Sequence, residues 1–85
     1  MAQIVTKTRK ILANNIVFYR VKCGWSQDVL AEKLGTSPAY VSEMENEKRN
    51  ISADYIDHIA TTFNIEPHDL LKNRPPVECR RIDRK

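Results

Sequence analysis

The sequence predicts an all-α domain of five helices. Apolar residues recur at helical spacing along most of the chain, and no strand alternation of useful length appears. Gly24 and Gly35 stand where two of the apolar stretches stop, as helix-ending glycines do. Ser26, Ser37 and Ser52 stand just before others start, as N-caps do.

The first helix is expected from about Thr6 to Lys22, with Ile11, Leu12, Ile16, Tyr19 and Arg20 near one face. Gly24 ends it. Ser26 caps a second helix from about Gln27 to Leu34, with Val29, Leu30, Ala31 and Leu34 as its apolar positions. Gly35 stops it, because glycine fits where a chain leaves a helix in a left-handed conformation. Ser37 followed by Pro38 starts a third helix, since proline in the first turn misses no N–H bond. That helix runs to about Asn46, and "NEKRN" is a polar connector. Ser52 caps a fourth helix with a stripe of Tyr55, Ile56, Ile59, Ala60 and Phe63. "NIEP" turns the chain into a short fifth helix, "PHDLLK". "RPPVECRRIDRK" has two prolines and dense charge. It reads as a basic, disordered tail over residues 74–85, which leaves one domain over residues 1–73. No internal repeat is visible.

At 85 residues the chain makes one small domain. No apolar run nears the roughly 18 residues that cross a bilayer. "MAQIVTKTRK" lacks the apolar core of a secretory signal, so a cytoplasmic protein with no membrane partner is expected. The two cysteines, Cys23 and Cys79, lie far apart and suit reduced thiols. Cys23, Cys79, His58 and His68 show no metal-ligand spacing, so no metal or other cofactor is expected. Ser42, Asp57 and His58 are the conceivable catalytic side chains. They come with no nucleophile elbow, glycine-rich loop or metal motif, so the expectation is not an enzyme.

The net charge of +3 hides an asymmetry. Residues 1–22 carry five basic side chains and no acidic ones. Residues 23–71 carry three basic against nine acidic, and residues 72–85 six basic against two acidic. Basic ends can serve a polyanion, and they can equally be a solvated surface with a charged tail.

The third helix poses the functional question. At 100° per residue, Val41, Met44, Glu45 and Ser37 fall on one side. Ala39, Ser42, Glu43, Asn46 and Glu47 fall on the other, a small and polar face. A short helix held at a steep angle can enter the roughly 12 Å major groove. Periodicity alone equally allows an ordinary helical hairpin.

Ser26-Gln27, Leu30-Ala31, Leu34-Gly35, Val41-Ser42 and Glu45-Asn46 closely resemble the helix-turn-helix of the lambda-repressor/Cro-like, or XRE, family. Arg20, seven residues before Gln27, also matches, and the resemblance covers about residues 11–71. "YVSEMENEKRNIS" is similar to restriction–modification controller proteins and related small regulators. The resemblance implies a compact five-helix lambda-repressor-like domain. It also implies a transcriptional regulator that binds specific double-stranded DNA as a homodimer.

It further implies roles by position. Gln27 and Ser26 open the second helix, where an amide and the helix N-terminus can hold a phosphate. Pro38, Ala39, Ser42 and Glu43 match base-facing or groove-facing positions, with Tyr40 against the backbone or the groove edge, and Ser37 is a further DNA-contact candidate. Asn46, Lys48 and Arg49 match a phosphate-touching loop, and Arg49 also matches a position that can reach a base. Pro38 and Ala39 can offer only apolar contact, for example to a thymine methyl. Arg20 and Glu45 match a partly buried ion pair that ties the first helix to the third.

Dimer candidates are Ile65, Leu70 and Leu71, with Val77, against the plain reading of core closure. "IVFY" suggests that Val17 or Phe18 is exposed on the first helix and marks a second interface. No small-molecule ligand is expected. The rival function is an antitoxin-like interaction module with weak DNA binding.

Overall fold

The computed structural model describes residues 6–77. They form α1 (Lys7–Cys23), α2 (Gln27–Leu34), α3 (Pro38–Glu45) and α4 (Ala53–Phe63), then a 3-10 helix over Pro67–Leu71. Among the described residues there is no strand.

All four α-helices begin alike. The hydroxyls of Thr6, Ser26, Ser37 and Ser52 accept from the amides of Arg9, Val29, Tyr40 and Tyr55, each at 3.1 Å. Each such cap is worth about 1 kcal/mol. The exits are alike too. Gly24, Gly35 and Asn64 adopt left-handed backbone, and the following amide reaches back into the helix. At Gly35 a Cβ would meet nothing within 4 Å, so only the positive φ of 77° argues against a side chain there. α3 leaves through Glu47 at φ 66°, a non-glycine in the left-handed region.

The core gathers Leu12 and Ile16 of α1, Leu30, Ala31 and Leu34 of α2, and Val41 and Met44 of α3. Ile59, Ala60 and Phe63 of α4 complete it together with Leu70 of the 3-10 helix. Burying each of Ile16, Leu30, Ile59 and Leu70 contributes about 1.5–3 kcal/mol relative to leaving it exposed. Trp25 stacks on Phe63 with ring centroids 5.7 Å apart and closes the α1–α2 corner.

The expected short fifth helix is present, as a 3-10 helix of five residues that opens at a proline. Some side-chain placements differ from expectation. Leu70, a dimer candidate, is 0% exposed and belongs to the core of one chain. Of Val17 or Phe18, expected to be exposed, Val17 is buried and Phe18 half-buried, while Val29, an apolar position of α2, is exposed. In both cases the neighbouring elements, not the helix's own period, decide which flank is covered.

Past the 3-10 helix the chain forms a strap on α1. Buried Asn15 donates from Nδ2 to the carbonyls of Leu70 at 2.7 Å and Lys72 at 2.8 Å, and its Oδ1 accepts from Arg74. The Arg74 guanidinium lies 4.0 Å over the half-buried Phe18 ring and donates to the Tyr19 hydroxyl at 3.2 Å. Asn14 donates to the carbonyl of Pro75 at 3.1 Å and accepts from the amide of Val77 at 2.8 Å. The tail expected from residue 74 therefore begins as packed chain, because α1 offers amide and aromatic partners that composition does not reveal. Residues 78–85, with Cys79, lie outside the described residues.

Among the described residues no helix is long and apolar enough to cross a membrane. No group of His, Cys, Asp and Glu is placed to hold a metal ion among them.

Candidate nucleic-acid interface

α3 is anchored by Val41, Met44 and Glu45, all at most 1% exposed. A buried carboxylate needs a counter-charge. Arg20 supplies it, with Nε 2.6 Å from Glu45 Oε2 and Nη2 3.1 Å from Oε1. Arg20 Nη1 also donates to the Trp25 carbonyl at 3.0 Å. Gln27 Nε2 donates to Glu45 Oε1 at 2.8 Å. α1, α2 and α3 are thus joined through one carboxylate, which sets the tilt of α3.

The opposite side of α3 faces outward. Ser37, Pro38, Ala39 and Asn46 are exposed, and Ser42 and Glu43 are partly so. The Asn46 amide donates to the Ser42 carbonyl at 2.8 Å and closes the end of α3. The Glu47 turn follows: the Glu47 amide donates to Met44 and the Lys48 amide to Glu43. Lys48 and Arg49 emerge exposed beside the outer face of α3. Arg49 Nε pairs with Glu43 Oε1 at 2.7 Å.

Three expected contacts sit differently from a free surface group. Gln27 spends one Nε2 hydrogen on Glu45, which leaves its second hydrogen and the amides that open α2 for an anion. Ser26 Oγ is the cap of that helix, with Asp28 in its first turn. Tyr40 is half-buried against the core and meets Tyr55 edge to face at 5.7 Å. Burial, then the neighbouring Tyr40, push the Tyr55 phenol above its ordinary pKa, against a hydrogen bond with Thr36 that lowers it.

Sequence reasoning passed over Arg9. Its Nη1 reaches the Glu47 carbonyl at 3.4 Å, so a cation of α1 stands at the edge of the Asn46–Arg49 loop. The signal was present: the first turn of α1 has basic residues and no acid, at the pole where cations are disfavoured. Of the dimer candidates besides Leu70, Leu71 is 43% exposed, while Ile65 and Val77 are half-buried.

A capped helix pair joined by a left-handed glycine, with the second helix outward and polar, is a helix-turn-helix. The chain belongs to the helix-turn-helix family (HTH_3) of lambda-repressor/Cro-like, or XRE, type, which matches residues 18–70. A hypothetical transcription factor of Neisseria meningitidis serogroup B is 37% identical over 70 residues, 82% of this chain and 64% of that protein. The chain therefore spans less than two thirds of that relative's length. The crystal structure of the hypothetical transcription factor NHTF from Neisseria superposes with a TM-score of 0.74 at 32% identity, over 85% of this chain and 83% of that one. The restriction–modification controller protein C.AhdI from Aeromonas hydrophila gives a TM-score of 0.68 at 32% identity, over 73% of this chain and 94% of that one.

Proposed function

We propose that this protein is a sequence-specific, double-stranded DNA-binding transcriptional regulator that acts as a homodimer in the cytoplasm and has no catalytic activity. The carrying observation is the Arg20–Glu45–Gln27 network, which fixes α3 with its small polar face outward. In this reading α3 enters the major groove. Ala39, Ser42 and Glu43 face bases, and Pro38 and Ala39 give apolar contact to a thymine methyl. Ser26, Gln27, Ser37, Asn46 and Lys48 hold phosphates on either side. Tyr40 supports the groove edge, and Arg49 reaches a base.

One such helix contacts few base pairs, which favours two copies on half-sites about one helical turn apart. Leu71, exposed at 43%, with the half-buried Ile65, is the surface assigned to that pairing. Relatives that include a restriction–modification controller support a small regulator of this kind.

The test is selection of sites from a random duplex pool at about 150 mM salt, where non-specific backbone attraction is weakened. A two-fold symmetric site is the expected result. Binding without any enriched sequence, collapsing as salt rises, would overturn the reading and turn the search to protein partners.

A further inference from the structure

We propose that Glu43, Tyr40 and Arg49 form a single reading unit, in which Glu43 positions Arg49 on a guanine and lowers its pull on other DNA. The inference rests on the DNA-binding reading above and assigns the residue that sets its specificity.

The geometry of the unit is closed on itself. Arg49 Nε lies 2.7 Å from Glu43 Oε1, with 49% and 43% of the two side chains exposed. The guanidinium carbon sits 4.8 Å from the Tyr40 ring centroid. Tyr40 is braced in turn. It meets Tyr55 at 5.7 Å and 88°, and Tyr55 meets the His58 ring at 5.4 Å. His58 Nε2 lies 2.9 Å from the Leu34 carbonyl, an acceptor only, so that nitrogen carries the proton. The backbone is held too, because the Lys48 amide donates to the Glu43 carbonyl at 2.9 Å across the Glu47 turn. Two residues six apart are thereby held in register from main chain and side chain alike.

This arrangement has two chemical consequences. The pair uses Nε of Arg49 and leaves both terminal Nη groups for a ligand. Guanine shows two acceptors, N7 and O6, on its major-groove edge, and an arginine fork matches them. A side chain already stacked and tethered loses less freedom when it makes that contact. Charge is the second consequence. A free Arg49 would be drawn to any phosphate, on any sequence. Paired with Glu43 it carries no net charge, so its attraction to the backbone is small, and a base contact is where it gains. A carboxylate on a DNA-facing helix, otherwise repelled by phosphate, thereby acquires a role in rejecting wrong sequences.

The experiment compares the full chain with Glu43→Gln, Arg49→Lys, Tyr40→Leu and the double Glu43→Gln/Arg49→Lys variant. Site selection and salt-dependent affinity are measured for each. The wild type is expected to prefer guanine at one position of each half-site. Glu43→Gln and Arg49→Lys should each relax that same position by about ten-fold or more, with the double variant no worse than either single one. Arg49→Lys keeps the charge and removes the fork, so it separates base reading from phosphate attraction. Tyr40→Leu should relax the same position more weakly. Glu43→Gln should also tighten non-cognate binding a few-fold and steepen its salt slope by about one phosphate contact.

Glu43→Gln tightening every sequence equally, with preferences unchanged, would reduce Glu43 to a repelling charge and overturn the proposal. Independent, multiplying effects at different positions would overturn it as well, since Glu43 would then read its own base. If the wild type enriches no site, the DNA-binding reading itself fails, and that result is distinct from either of these.

Discussion

Arg20 Nε on α1 lies 2.6 Å from Glu45 Oε2 on α3, with 0% and 1% of the two side chains exposed. The pair stands between the core and the outer face of α3. Glu45→Ala leaves the Arg20 cation buried without its carboxylate. A loss of about 3–5 kcal/mol is expected, read by urea unfolding. Replacing both residues by Met should recover most of that loss, because the cost lies in the stranded charge. The double variant should nonetheless bind DNA less well, since the tilt of α3 is no longer fixed through a carboxylate shared with Gln27.

Gln27→Ala tests a residue with two duties. Its bond to a charged Glu45 oxygen predicts a stability loss of about 1.5 kcal/mol, the low end for a half-buried group. Affinity should fall on all DNA sequences alike, with the preferred sequence unchanged. A shifted preference in site selection would show that Gln27 reads a base instead.

Asn15 is the pin of the C-terminal strap. Asn15→Leu leaves the Leu70 and Lys72 carbonyls and the Arg74 guanidinium without their amide partner. The expected loss is about 2–3 kcal/mol in thermal or urea unfolding. As the strap loosens, exchange of the Val77 amide, which is bonded to Asn14, should quicken. Asn14→Ala should loosen the same segment with a smaller effect on stability, since its bonds lie nearer the solvent.

Glu47 ends α3 at φ 66°, a backbone state that disfavours a side chain. Glu47→Gly should raise stability by roughly 1 kcal/mol. Glycine also relaxes the turn that carries Lys48 and Arg49, so DNA discrimination is expected to weaken as stability rises. Unfolding and site selection on one variant measure both.

The Asp69 carboxyl is held below the usual carboxylate range, first by the Lys72 side chain at 3.1 Å and then by the Glu66 amide. The folded pKa is depressed, so this contribution is complete above the ordinary carboxylate pKa. It is lost as pH falls through the lower folded value. Asp69→Asn should flatten that part of the acid limb of stability against pH. An NMR titration of the Asp69 side chain should give a midpoint below that of an unfolded peptide.

Where the helices start and stop is written in local sequence. Thr6, Ser26, Ser37 and Ser52 cap, and Gly24, Gly35 and Asn64 turn out of helices, through bonds spanning only a few residues. The buried side of α3 was equally legible, because Val41, Met44 and Glu45 share one helical face. The family, and with it the pairing of Arg20 with Glu45, was legible as a resemblance between spaced residues. Packing between elements sets which flank of each helix is covered, as buried Val17 and exposed Val29 show. It alone laid residues 72–77 on Asn14 and Asn15, and it alone set Arg49 on Glu43 through the Glu47 turn. The physical division is one of range. Caps and turns are satisfied within one helical turn of sequence. The strap joins residues about sixty apart, and its partners exist only once α1 and the 3-10 helix have packed together.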